Sequence, residues 1–138
     1  LWRIFSQMYE KYLISITEIT DSDMGPEKKL DAIVRAHALN VMNNRDWTKI
    51  YFKEEAELND RQRRQITSKK RQYDQKMEEV YKEGVAKGVF KDIPLHLAVS
   101  GILGSVNWIY TWYNPSGKIS SEEIAEHYVN LLSAGYRA

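Results

Sequence analysis

Residues 95–136 read LHLAVSGILGSVNWIYTWY (95–113), NPSG (114–117) and KISSEEIAEHYVNLLSAGY (118–136), and their reading decides the fold. The first run contains no Asp, Glu, Lys or Arg and shows no period-two alternation, so it reads as a helix that is apolar on nearly every side. Pro94 opens it, and Asn114-Pro115-Ser116-Gly117 is a strong turn signal. Ser120, with Glu123 three residues on, is a capping box that starts a last helix carrying Ile124, Tyr128, Leu131, Leu132 and Gly135 on one stripe. In a small protein, a helix apolar on opposite faces buries one on its own core and the other on a second chain. Gly101, Gly104 and Ser105 lie three and four residues apart on that helix. A glycine inside a helix costs about 1 kcal/mol relative to alanine, so two of them imply a packing need. The expectation is a homodimer whose interface contains Gly101, Gly104, Ser105, Ile124, Tyr128, Leu131 and Leu132, the last two helices of each chain forming a four-helix bundle. Close packing inside one subunit is the competing use of the same small residues.

Working back toward the N-terminus, Phe5, Met8, Tyr12 and Ile16 recur at helical spacing, extended by Leu1 and Ile19. A break follows at residues 21–25. Pro26 suits a first helical turn with Glu27 beside it, and the second helix runs through Leu30, Ile33, Val34, His37, Val41 and Met42. Asp46 is placed to cap a short third helix, Trp47 to about Glu57. Asn59 or Asp60 caps a long fourth helix with its stripe at Ile66, Tyr73, Met77, Val80, Tyr81 and Gly84; Gly88 stops it, and Phe90 is placed to contact the helix just ended. The fold class expected is all-α, with six helices and no sheet, as one domain over residues 1–138.

Several functions are excluded by composition. With no cysteine there are no disulfides, thiolate metal sites or thiol catalysis. A net charge of +1 does not make the whole domain a nucleic-acid-binding surface. No apolar run approaches the roughly 20 residues of a membrane span, and no signal peptide is visible, so a cytoplasmic protein without a membrane partner is expected. His96 and His127 have no partner at persuasive metal spacing, and Glu54, Glu55 and Glu57 read as the polar face of a short helix rather than a catalytic group. No metal, cofactor or enzymatic activity is expected. The chain opens on Leu1-Trp2-Arg3-Ile4-Phe5 in helical rhythm without a capping residue, which reads as a start inside a helix with further residues ahead of it.

The order EGVAKGVF (83–90), GILGSVNW (101–108) and WYNPSGKISSEEIAEHYVNLLSAG (112–135) resembles the C-terminal domain of TetR-family transcriptional regulators, most closely the subgroup responding to acyl-CoA thioesters in lipid or steroid catabolism. The resemblance covers the chain in helix count and order and is specific over about its last sixty residues. It implies a six-helix ligand-binding and dimerisation body, with Leu1 in the helix leading to an N-terminal helix-turn-helix domain that is not in this chain. It also implies a repressor released from operator DNA by a small apolar effector such as an acyl-CoA. The alternative is a structural helical dimerisation module without ligand.

In that family the ligand pocket lies inside the body, between the long helices. The matching material here is His37, Trp47, Tyr51, Phe52, Tyr73, Met77, Asn107, Trp108 and Trp112, an apolar set with a few polar tips, as an acyl or sterol-like group requires. The competing reading of each is core filling. The basic run Arg61, Arg63, Arg64, Lys69, Lys70 and Arg71 is opposed only by Asp60. It reads as a solvated face, as a surface for DNA, or as a phosphate site for a CoA moiety formed by Arg64, Lys70 and Arg71. Positive charge near a helix N-terminus works against the macrodipole, which hints at an anionic partner.

Overall fold

The computed structural model describes residues 2–138; Leu1, expected inside the first helix, lies outside them. Helix α1 (Trp2–Thr20) buries Phe5, Met8, Tyr12 and Ile16, the stripe expected from spacing. Pro26 occupies the first turn of α2 (Pro26–Asn43), with Glu27 beside it. The next helix, α3 (Arg45–Glu54), starts earlier than expected, and Asp46 is not its cap. Only Asn44 separates α2 from α3, and its amide donates back to the Asn40 carbonyl at 2.8 Å, so the chain re-enters a helix at once. Asp46 instead accepts from Arg45 at 3.0 Å. A 3-10 turn, Glu55–Glu57, finishes this segment.

Of the two caps offered by the sequence, Asn59 starts α4 (Asp60–Ala86): its side chain accepts from Gln62 N, and the Gln62 side chain accepts from Asn59 N, a complete capping box. The helix stops where Gly88 adopts φ +75°, a conformation cheap only for glycine. That reversal folds Phe90 back over Gly84, and Val89 N and Phe90 N both donate to the Gly84 carbonyl, at 2.9 and 3.1 Å.

The apolar segment is α5 (Leu95–Asn107) followed by one further turn, α6 (Ile109–Trp112). The division falls at Trp108, whose carbonyl accepts from Thr111 N at 3.0 Å, three residues on rather than four, so the helix tightens there. Six helical segments therefore appear in the expected order, the fifth interrupted once. Ser120 caps α7 (Ser121–Tyr136), accepting from Glu123 N at 3.2 Å. Among the described residues there is no strand, only an isolated bridge between Phe90 and Arg137.

Helix α2 is the centre of the bundle, packed by α1, α4, α5 and α7. Its face of Leu30, Ile33, Val34, Ala38 and Val41 is buried against Ile16, Met77, Val80, Ile102, Val106 and Val129. Burying each of the Leu, Ile, Val and Met side chains contributes about 1.5–3 kcal/mol. A smaller core of Phe5, Tyr51 and Ile66 joins α1, α3 and α4. The C-terminus is tied down: Lys91 N donates to Tyr136 O at 2.8 Å, and Arg137 pairs with Asp31 at 2.7 Å. Among the described residues no helix is long and apolar enough to cross a membrane.

A candidate ligand cavity between five helices

Four of the long helices and α3 do not close completely on one another. They leave a cavity of about 350 Å³. Helix α1 supplies Met8, Tyr9 and Tyr12, and α2 supplies His37 and Val41. Thr48, Tyr51 and Phe52 come from α3, Lys69, Lys70, Tyr73 and Asp74 from α4. Helix α5 closes it with Val99, Ser100, Leu103, Gly104 and Asn107. The wall is mostly aromatic and aliphatic with a few polar groups, the composition of small-molecule sites.

Helical geometry explains the selection. Ser100, Leu103, Gly104 and Asn107 lie at i, i+3, i+4 and i+7, one stripe of α5. Ala98, Ile102 and Val106 form the stripe that meets the core. Trp108 is one residue beyond Asn107 and so about 100° further round the helix, which turns it out of the cavity. It is 64% exposed.

One polar relay crosses the cavity wall. Tyr73 Oη lies 2.8 Å from His37 Nδ1, and His37 Nε2 lies 2.6 Å from Asn107 Oδ1. A carbonyl oxygen only accepts, so Nε2 carries the proton and donates to Asn107, leaving Nδ1 to accept from the Tyr73 hydroxyl. Burial lowers the His37 pKa to about 4, while the bond to Asn107 pulls the other way. Burial likewise raises the Tyr12 and Tyr73 hydroxyls well above the ordinary tyrosine range. Every buried side-chain polar atom among the described residues has a partner. The Tyr73–His37–Asn107 relay is therefore uncharged at neutral pH.

This gives a signed prediction. Below pH 6.5 the unfolded chain protonates His37 while the folded chain stays neutral down to about pH 4, so stability falls as pH falls through that window. Between pH 7.5 and 5 the loss from this group is about 2 kcal/mol. Denaturant unfolding of wild type and His37→Gln at the two pH values measures it. Equal losses in the two proteins would contradict the assignment.

Of the residues singled out from sequence, the structure brings together His37, Tyr51, Phe52, Tyr73 and Asn107 around the cavity, with Lys70 at its edge. Met77 is fully buried in the main core. Trp47 is 38% exposed, Trp112 stacks on Tyr128 with centroids 6.4 Å apart, and neither tryptophan lines the cavity. Arg64 and Arg71 are exposed and do not line the cavity. Sequence reasoning passed over Tyr9, Tyr12, Asp74, Ser100 and Leu103. A signal was available: polar-tipped aromatics at Tyr9 and Tyr12, and a small or polar stripe at Ser100, Gly104 and Asn107, both at helical spacing. Gly104, read as an interface residue, also lines the cavity.

The residues expected at the interface differ in their exposure. Gly101, Gly104, Ser105 and Leu131 are exposed, while Ile124, Tyr128 and Leu132 are half-buried. A methyl group on Gly101 or Gly104 would meet no atom within 4 Å, so nothing in this subunit requires glycine there.

Residues 23–136 match the family model for the tetracyclin repressor-like C-terminal domain. A TetR/AcrR-family transcriptional regulator from Thermobifida fusca is 28% identical, aligned over all of this chain and 73% of that one with a TM-score of 0.90. The ketosteroid regulator KstR2 of Mycobacterium tuberculosis is 19% identical over 95% of this chain and 68% of its own, with a TM-score of 0.87. AibR, solved with isovaleryl coenzyme A and operator DNA, is 23% identical over 94% of this chain and 73% of its own, with a TM-score of 0.76. The last two share the fold. No curated protein matches the chain.

Proposed function

Because the chain belongs to the tetracyclin repressor-like C-terminal domain family, we propose that it is the effector-sensing and dimerisation body of a transcriptional repressor. A DNA-binding head would precede α1, and an apolar ligand such as an acyl-CoA thioester would release the repressor from its operator. The observation that carries this reading is the aromatic-walled cavity between α1, α2, α3, α4 and α5. It favours a sensor over a structural module without ligand, whose interior would need no such space. The isovaleryl coenzyme A bound by AibR supports the ligand class by analogy of fold.

A ligand wedged between α1, α4 and α5 would bias the angle of α1, and with it the separation of two heads that must meet half-sites about 34 Å apart. Coupling of this kind is typically 1–3 kcal/mol, or about 5- to 150-fold in operator affinity. With the head present, saturating decanoyl-CoA is expected to weaken operator binding within that range, measured by fluorescence anisotropy. Unchanged operator affinity with the ligand demonstrably bound would refute derepression. In the isolated body, ligand at 100 times its Kd should add about 2.7 kcal/mol of stability, visible as a higher melting temperature.

A further inference from the structure

We propose that Lys70 is the anion-pairing residue of the cavity, so that the ligand is an amphiphile with its apolar body among the tyrosines and one carboxylate- or phosphate-class anion at the Lys70 ammonium. This rests on the ligand-sensing reading above and specifies the chemistry that the site selects.

Six cations cluster on the first turns of α4, and the structure gives them different surroundings. Arg63 donates to the carbonyls of Glu55 and Leu58, each at 3.4 Å. Lys69 pairs with Glu10 at 3.1 Å and donates to Ser6 Oγ at 3.0 Å. Arg61, Arg64 and Arg71 are exposed to solvent. Lys70 alone of the six is both half-buried on the cavity wall and, among the described residues, without a carboxylate within 4 Å. Its ammonium sits 5.3 Å from the Tyr9 ring centroid and 5.0 Å from that of Tyr51, with a long contact of 3.4 Å to the Tyr51 hydroxyl. An ammonium has three donors, and this contact engages one of them.

The rings hold the charge in a poorly solvated place, and burial lowers the Lys70 pKa, with Glu55 and Asp74 opposing the shift. The His37 relay is internally satisfied, which leaves Lys70 as the cavity's cation with donors to spare. Asp74, one turn along α4, also lines the cavity; burial and Glu78 raise its pKa. A carboxylate there opposes an anion nearby, so it should weaken the same ligand that Lys70 strengthens.

The opposed signs give a test that a merely structural role for Lys70 does not mimic. Binding of decanoate, decanoyl-CoA and the neutral decanol to the intact chain is measured by isothermal titration calorimetry, with Lys70→Met, Lys70→Arg and Asp74→Asn. The expected result is that an anionic probe binds the wild type about tenfold or more tighter than decanol, as a charge-assisted hydrogen bond would give. Lys70→Met removes that preference, Lys70→Arg keeps it and Asp74→Asn enlarges it, while decanol affinity stays constant throughout. Decanoate preferred over decanol identifies a carboxylate as the anion; preference shown by decanoyl-CoA alone identifies the phosphates. Equal binding of all three probes, insensitive to Lys70→Met, overturns the proposal and leaves the cavity as an apolar site. If none of the probes binds a folded wild type, the ligand-sensing reading fails first.

Discussion

Gly101→Arg is expected to convert the proposed homodimer to a monomer without unfolding the subunit. Gly101 is exposed on α5, a Cβ there would meet nothing within 4 Å, and the neighbouring surface carries Trp108 at 64% and Leu97 at 62% exposure. In the lone chain an arginine at this position points into water and costs little. Across the proposed two-fold axis it would be buried twice, and each unpaired buried charge costs on the order of 3–5 kcal/mol. Dimer dissociation should therefore rise by at least about a thousandfold. Gly101→Ala separates the causes, because alanine is favoured over glycine within a helix by about 1 kcal/mol. It should stabilise the monomer and weaken the dimer. Sedimentation velocity with circular dichroism reads both quantities. A Gly101→Arg protein that sediments as a dimer would move the interface elsewhere.

Gly84→Ala should produce the largest loss of subunit stability among single-methyl changes. The added Cβ would lie 2.0 Å from Phe90 Cδ2 and 2.7 Å from its Cγ. The ring has nowhere to retreat. It is buried, stacked on Tyr81 with centroids 5.1 Å apart and set edge-on to Tyr136 at 5.2 Å. Its backbone is pinned to the Gly84 carbonyl on one side and, through Lys91, to Tyr136 on the other. Overpacking of this kind costs about 1–3 kcal/mol, and the pinned backbone puts the expected value at the upper end, about 3 kcal/mol. In a Phe90→Ala background the same methyl meets no ring and should be neutral or stabilising. Urea unfolding of the two single variants and the double variant gives the coupling. An unchanged midpoint for Gly84→Ala would mean that the ring moves freely.

These two glycines share a helical setting and nothing else, and the contrast shows what spacing can convey. Gly84 belongs to the buried stripe of α4 and is required by a ring six residues later in the chain. Gly101 belongs to an exposed stripe and is required by nothing in its own subunit. The sequence alone determined the helix order, the turn at Asn114–Gly117, the Ser120 cap and the buried stripes of α1, α2 and α4, because each depends on backbone chemistry or on the 3.6-residue period. The family resemblance was legible for the same reason, being carried by contiguous residues at fixed spacing. The cavity was legible only in part. Periodicity gives the direction of a side chain around its own helix and does not say which helix stands opposite. Asn107 and Trp108 are neighbours in the chain, yet one meets His37 and the other faces solvent. Lys69, Lys70 and Arg71 read as one basic run, and the packing of α1 and α3 against α4 gave them three environments: an ion pair, a pair of tyrosine rings, and water. Those distinctions arise from contacts between residues distant in sequence, so only the tertiary structure could decide them.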